Sequence, residues 1–276
     1  MSELKKILLD NGFVFKKQLG QNFISDINLL NSVVADSGIT SDCTVIEIGA
    51  GAGSLTRALA GVAKRVITYE IDSRLMPILA ETLSDYKNIE IKNCDIMKVS
   101  NEEIKELTQG KFKVVANLPY YITTPIIMRF IESDLDVTSI TVMIQKEVAE
   151  RLTAKYDTEE YGAITVAVKI VADVTITRMV NRKLFFPMPN VDSAVIRIDI
   201  NRNKYDILDM STTKKLIKCA FAMRRKTLVN NIMAAFQVDR EKANGLVVAA
   251  GLDEKIRGEA LSVEDFVNLG RIIGGK

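Results

Sequence analysis

The chain has 276 residues, 47% hydrophobic and 26% charged, with only 15 Gly and 5 Pro; this excludes disordered, collagen-like and low-complexity classes and predicts one large domain or a domain with an appendage. Histidine is absent, which excludes Ser-His-Asp and Cys-His nucleophiles, HExxH zinc sites and carboxylate-histidine metal sites, so no metal centre is expected. The net charge is only +2, yet residues 1–201 carry 23 Lys/Arg against 26 Asp/Glu while 202–276 carry 14 against 9, so the basic surplus lies at the C-terminal end.

In chain order, the spacing predicts a helix over Ser2 to Asn11 closed by Gly12, and a second from the cap candidate Asp26 to Ser37 before Gly38. Short β-branched runs then alternate with helical ones. Thr44 to Ile48, Arg65 to Ile71, Ile89 to Lys92, Phe112 to Ala116 and Ser139 to Ile144 read as buried strands. Between them lie helical stretches near Ser54 to Ala63, Ser73 to Tyr86, Glu102 to Thr108 and Thr124 to Glu132, a pattern that predicts a parallel sheet with helices on both faces. After a helix at Lys146 to Ala154, the segments Ala163 to Val171 and Ser193 to Ile200 read as an antiparallel strand pair at one sheet edge. The polar stretch Asn201 to Met210 marks a boundary, dividing the chain into residues 1–200 and a helical bundle of 201–276. The bundle helices are expected at Thr212 to Met223, Thr227 to Phe236, Asp239 to Ala250 and Ser262 to Ile273.

Three cysteines, Cys43, Cys94 and Cys219, lie far apart without CxxC spacing, and an odd number cannot pair internally, which fits a reducing cytoplasm. The apolar run at the N-terminus is too short for a signal-peptide core, and stretches such as Gly245 to Leu252 fall well below the ~20 residues of a membrane helix, so neither export nor a membrane partner is expected.

The first predicted strand runs into Glu47-Ile48-Gly49-Ala50-Gly51-Ala52-Gly53-Ser54. Glycines at the carboxyl end of a buried strand allow a tight turn and close approach of a ligand. Counted from Gly49, the sixth position is Ser54 rather than the glycine of a nicotinamide fingerprint, and the E-x-G-x-G-x-G form suits S-adenosylmethionine (SAM), which has no pyrophosphate. An ordinary strand-to-helix turn would read the same way. Two further acids stand at strand ends: Glu70, 17 residues after Gly53, can accept both hydroxyls of a ribose, and Asp95 can accept an exocyclic adenine amine. The fourth strand ends Asn117-Leu118-Pro119-Tyr120-Tyr121. Asn and Pro also make plain turns, but here they offer an amide oxygen and a backbone carbonyl as two acceptors for an amine, followed by an aromatic face for a base. Between Asp209 and Asp239 there is no acid, while Lys214, Lys215, Lys218, Arg224, Arg225 and Lys226 fall there, which reads as a polyanion-facing surface or as a solvated helical face.

Together with Leu19-Gly20-Gln21-Asn22-Phe23, Gln145-Lys146-Glu147-Val148-Ala149-Glu150-Arg151-Leu152, the run Phe185-Phe186-Pro187-Met188-Pro189-Asn190-Val191-Asp192-Ser193-Ala194-Val195 and Phe221-Ala222-Met223-Arg224-Arg225-Lys226-Thr227, these motifs resemble the ribosomal RNA adenine N6-dimethyltransferase family, from about Lys17 to the end. The resemblance implies a Rossmann-like SAM-dependent methyltransferase sheet, mostly parallel with an antiparallel edge strand, in residues 1–200, and a small helical rRNA-binding domain in 201–276. It implies that Gln21, Asn22 and Phe23 close over the cofactor, that Gly49, Gly51 and Gly53 form its loop, that Glu70 holds the ribose, and that Asp95 and Ile96 contact the adenine. It further implies that Asn117 and Leu118 receive the target amine, that Tyr120 stacks on the target base with Phe185 and Phe186 on its other face, and that Arg224, Arg225 and Lys226 bind RNA. The implied substrate is a pair of adjacent adenines near the 3′ end of small-subunit (16S) rRNA, within an immature 30S subunit, acted on by a cytoplasmic monomer. After Tyr161-Gly162 the family usually carries Arg-Leu-Ser or similar where this chain has Ala163-Ile164-Thr165, so one basic RNA contact is expected to be missing. Two rival readings are a large-subunit rRNA methyltransferase of the erythromycin-resistance type and a non-catalytic ribosome-assembly factor; the Val191 to Val195 and Arg224 to Lys226 segments speak against the first and the complete Asn-Leu-Pro-Tyr sequence against the second.

Overall fold

The computed structural model describes residues 7–8, 11–13, 15 and 21–275. In chain order its strands and α-helices are β1 (Phe23–Ile24), α1 (Ile27–Asp36), β2 (Thr44–Ile48), α2 (Ser54–Ala60), β3 (Arg65–Tyr69), α3 (Met76–Thr82), β4 (Ile89–Lys92), α4 (Asn101–Thr108), β5 (Phe112–Asn117), α5 (Thr123–Glu132), β6 (Val137–Gln145), α6 (Lys146–Thr153), α7 (Ala163–Lys169), β7 (Ala172–Val180), β8 (Phe185–Phe186), β9 (Ser193–Ile200), α8 (Met210–Ala220), α9 (Leu228–Phe236), α10 (Arg240–Ala249) and α11 (Val263–Ile273). Most of the opening helix expected over Ser2 to Asn11, like Lys17, Leu19 and Gly20, lies outside the described residues; Ile7 and Leu8 are helical.

Seven strands form one sheet in the order β4-β3-β2-β5-β6-β9-β7. The pairs β2–β3, β2–β5, β3–β4 and β5–β6 are parallel, and β6–β9 is antiparallel. Strand order reverses direction at β2, the arrangement in which an open α/β sheet leaves a crevice at its carboxyl edge. Alternate residues of each strand serve opposite faces. Val45, Val66, Val115, Met143 and Val195 pack with Leu30 and Val33 of α1 and Leu55 and Leu59 of α2, while their neighbours Ile46, Ile67, Val114 and Val142 are fully buried as well. Burial on both faces explains why these strands read as continuous apolar runs. Each such side chain contributes roughly 1.5–3 kcal/mol on leaving water. The Asp26 carboxylate starts α1 by accepting from Leu29 N at 2.9 Å, and the Ser100 hydroxyl starts α4 by accepting from Glu103 N at 3.1 Å.

The chain forms two compact units, residues 1–149 with 175–200 and residues 150–174 with 201–276. The second unit therefore takes in a stretch ahead of the expected boundary at 200. Within it α8 packs on α9 and α11. At Gly270 of α11 a Cβ would lie 2.6 Å from the Thr213 hydroxyl of α8, so the helices approach through a hydrogen atom. Tyr161 donates to Leu261 O at 2.9 Å and its ring meets Phe221 edge-on, while Phe221 stacks on Phe266.

The structure overturns one element. Ala163 to Val171, expected as a strand, is helix α7, and the strand beside β9 is β7, which begins at Ala172. A short β-branched run cannot be told from a buried helix by periodicity. Here tertiary contacts decide: Thr165, Val166 and Val168 are buried, the Thr165 hydroxyl donates to Arg151 O at 2.7 Å, and Lys169 donates to the Thr153 and Ala154 carbonyls. Strand β9 lies between β7 and β6 and pairs antiparallel with β6.

Candidate active site

At the carboxyl end of β2 the backbone turns through Gly49 (φ 79°), Gly51 (φ 58°) and Gly53 (φ 86°), conformations that favour glycine. A Cβ at Gly51 would stand 3.1 Å from the Phe23 ring, so the loop and the N-terminal segment meet so closely that a side chain there would have to displace the ring. The loop is tied to the end of β3 by Glu70. Its carboxylate accepts from Gly51 N and from Asp72 N, each at 2.9 Å, and burial raises its pKa against these two hydrogen bonds. Glu47, one strand over, is fully buried, accepts from the Thr56 hydroxyl at 2.6 Å, and is pushed up to about 7, chiefly by desolvation.

The segment carrying Gln21, Asn22 and Phe23 is fastened from three sides. Gln21 Nε2 donates to Asp72 Oδ2 at 2.8 Å. Arg74 donates to the same carboxylate and covers the Phe13 ring at 4.9 Å; its hydrogen bonds hold the Asp72 carboxyl down at about 2. Asn117 Nδ2 donates to Asn22 O at 2.8 Å, and β1 pairs antiparallel with β8, setting Phe23 opposite Phe186 and Ile24 opposite Phe185. Phe13, Phe15, Phe23 and Phe186 contact one another edge to face at 5.2–5.9 Å between centroids.

Asn117, which lines the cavity, donates through its amide nitrogen to Asn22 O, so its Oδ1 keeps its acceptor capacity. Leu118 N donates to Met143 O, Thr123 Oγ1 donates to Pro119 O, and these bonds hold the turn that presents Tyr120. The Tyr120 hydroxyl is 2.9 Å from the fully buried Ser193 hydroxyl at the head of β9, and burial raises the phenol pKa. Asp95 caps the turn after β4 through Met97 N at 2.9 Å.

One cavity of about 1090 Å3, its open mouth included, brings together Gln21, Asn22, Phe23, Gly49, Gly51, Glu70, Asp95, Ile96, Asn117, Leu118 and Tyr120. Several predicted residues do not line it. Gly53 faces α3, where a Cβ would lie 3.0 Å from the Thr82 hydroxyl and 3.1 Å from Leu83. Phe185 is 5% exposed and sits in the core with Ile24 and Leu30, so it cannot cover a base, and Phe186 packs on Phe15. Arg224, Arg225 and Lys226 lie exposed between α8 and α9 in the second unit; Arg224 donates to Glu159 O at 3.0 Å. Asp72 and Ser193 carry no sequence signal of their own. Ser193 stands inside a motif quoted above and Asp72 two residues after Glu70, but their work is with partners 73 and 51 residues away. Among the described residues, two carboxylates and no Lys or Arg line the cavity, a surrounding for a cation and for hydroxyl and amine donors rather than for a phosphate.

Residues 12–273 match the profile of the family described as Ribosomal RNA adenine dimethylase. "Ribosomal RNA small subunit methyltransferase A" of Clostridioides difficile (strain 630) is 43% identical over 275 residues, covering 99% of this chain and 95% of that protein. The protein of the same name from Bacillus mycoides (strain KBAB4) is 44% identical over 273 residues, covering 96% and 93%. Among solved structures, a dimethyladenosine transferase from Plasmodium falciparum superposes with a TM-score of 0.77 at 27% identity, covering 90% of this chain and 95% of that one. The 23S rRNA methyltransferase ErmE superposes at 0.72 and 25% identity, covering 92% and 100%. The match extends through both units and not the sheet alone, and on that ground the chain belongs to the ribosomal RNA adenine dimethylase family, a family of SAM-dependent methyltransferases.

Proposed function

We propose that this protein methylates N6 of two adjacent adenines near the 3′ end of small-subunit (16S) rRNA to N6,N6-dimethyladenine, acting in the cytoplasm as a monomer on the immature 30S subunit during its biogenesis. The names of the two relatives support the choice of subunit. Among the described residues no helix is long and apolar enough to cross a membrane. The observation that carries the reading is Asn117: its amide nitrogen is committed to Asn22 O, so Oδ1 is left to accept an amine beside Leu118 and Tyr120.

The residues present fit SAM. Its sulfonium and ammonium charges suit a cavity lined by carboxylates and free of Lys and Arg among the described residues, and its lack of phosphate removes any need for them. Glu70 would hold the ribose, Asp95 and Ile96 the adenine, and Gly49, Gly51, Gln21, Asn22 and Phe23 would enclose the rest. Gly53 serves by packing α3 against the loop. When bound, SAM supplies a methyl carbon already activated by the positive sulfur. The chain's own task is orientation. Adenine N6 is a poor nucleophile because its lone pair is delocalised into the ring. Asn117 Oδ1 and the Leu118 carbonyl, accepting its two N–H bonds, draw the nitrogen toward tetrahedral geometry and aim its lone pair, while Tyr120 fixes the ring plane. Once methylated, N6 carries a positive charge and is strongly acidic, so its proton is lost to solvent water without a dedicated base. Where Asn117, Leu118 and Tyr120 hold the amine only by acceptors and stacking, N6-methyladenine can rotate and re-enter as a second substrate. Arg224, Arg225 and Lys226 would contact RNA phosphates.

Mass spectrometry of nuclease-digested RNA after incubation with undermethylated small subunits and SAM tests the reading. Dimethyladenine at two adjacent positions is expected; an end product of monomethyladenine, methylation confined to large-subunit RNA, or no methylation at all would each overturn it.

A further inference from the structure

The link between Tyr120 and β9 continues past the base slot into the loop between β7 and β9. Ser193 holds the Tyr120 hydroxyl at 2.9 Å. The preceding residue, Asp192, accepts from Arg182 N at 2.9 Å through Oδ1, and its carbonyl accepts from Lys146 N at 3.1 Å. The Arg182 guanidinium donates through Nη1 to Asn190 O at 2.7 Å, which fixes the side chain and leaves its other N–H groups for a further acceptor. Lys183 follows, and both residues are exposed. The other two cations of this stretch are neutralised, Arg178 by Asp36 and Arg197 by Asp199, whereas neither Arg182 nor Lys183 makes an ion pair among the described residues. Leu184, Met188 and Val191 of the same loop are 37%, 59% and 44% exposed.

We propose that Arg182 and Lys183 form a phosphate-binding subsite for the nucleotides flanking the target adenine, with the exposed Met188 and Val191 side chains as apolar surface for their unstacked bases. The proposal rests on the function put forward above and deepens it: part of the RNA contact is built into the catalytic unit beside the base slot, on residues other than the basic ones of the helical unit. A base held on Tyr120 carries its own backbone to the rim of the slot, and a phosphate there needs cations that no carboxylate has claimed. The chain from Tyr120 through Ser193 and Asp192 to Arg182 fixes the spacing between base and phosphate.

The test is an Arg182→Gln/Lys183→Gln variant, assayed for binding and methylation of undermethylated small subunits over a salt series, with SAM affinity measured separately by calorimetry. The expected result is unchanged SAM affinity, a several-fold rise in KM for the subunit with kcat retained, and a salt slope shallower by about 0.7 for each phosphate of single-stranded RNA that the variant no longer neutralises. Lys183→Gln alone leaves the Arg182–Asn190 bond in place, so it should show about half the change in slope without disturbing the loop. Wild-type KM and slope in both variants would overturn the subsite. Weakened binding at an unchanged slope would overturn it too, by pointing to a contact with ribosomal protein. Failure of the wild type to methylate would sink the proposed function instead, and the slope of binding would still decide the subsite.

Discussion

The two sides of the cavity are built differently. On the β2–β3–β4 side, the loop and its anchor are close in sequence: Gly51 and Glu70 are 19 residues apart, and Asp95 caps a turn two residues on. On the β5–β6–β9 side, each working group is held by a distant one, Asn117 by Asn22 at 95 residues and Tyr120 by Ser193 at 73. The first side is a property of successive strand ends in a parallel sheet. The second exists only once the N-terminal segment and β9 have been brought to β5, so it can fail without the first failing.

Glu70→Ala should break the first side with the largest effect, because the carboxylate ties the loop and is the group proposed to hold the ribose. Loss of hydrogen bonds to a charged acceptor costs about 1.5–3 kcal/mol, or about 10- to 150-fold in SAM affinity. Calorimetry would show it, and wild-type affinity would remove Glu70 from the cofactor site.

Tyr120→Ala should break the second side and spare the first. Removing a stacking platform costs about 1–3 kcal/mol per base, so methyl transfer should drop by about 5- to 150-fold while SAM binding holds. Parallel loss of both in this variant would mean that the two sides are one unit.

The third test uses pH. Glu47 has a folded pKa raised to about 7 from an ordinary 4.5, with burial as the main cause. The unfolded chain gives up this proton first, so the group's contribution to stability is greatest below 4.5, falls as pH rises toward 7, and is level beyond. The ligand-free protein should therefore melt at lower temperature at about pH 7.5 than at about pH 5.5, and Glu47→Gln should flatten part of that decline. Because Glu70 is raised in the same direction, a residual slope should remain. A Glu47→Gln melting curve as steep with pH as that of the wild type would show the carboxyl ionised throughout.

The smallest effect sharpens the comparison most. Ser193→Ala removes one neutral hydrogen bond, about 0.5–1.5 kcal/mol or about 2- to 12-fold. If Ser193 positions the Tyr120 ring, kcat falls, SAM affinity and melting temperature change little, and Ser193→Thr restores the rate. An unchanged kcat would reduce the bond to a packing detail.

The legibility of the site follows the same division. Gly49, Gly51, Glu70 and Asp95 could be picked out one by one, since strand ends, turns and acids follow each other in the chain. Gly53 belongs to the same pattern, yet its missing Cβ serves Thr82 and Leu83 rather than the cavity. Phe185 and Phe186 stand out as an aromatic pair, but alternation in β8 sends Phe185 into the core and leaves Phe186 against Phe15. Asp72 gives no sign of its partners Gln21 and Arg74 beyond its place beside Glu70.

By itself the sequence determined the strand and helix alternation of the sheet, the helices of residues 201–276, and the acids and acceptors at the strand ends, because each of these rests on local periodicity and capping. Only the tertiary structure decided that Ala163 to Lys169 coils rather than extends, that the N-terminal segment pairs with Phe185–Phe186, and that Ser193 reaches Tyr120. The reason is physical: a β-branched run has little preference of its own strong enough to resist the burial and hydrogen bonds offered by its neighbours, and a hydroxyl finds its partner through chain topology, which no local pattern records.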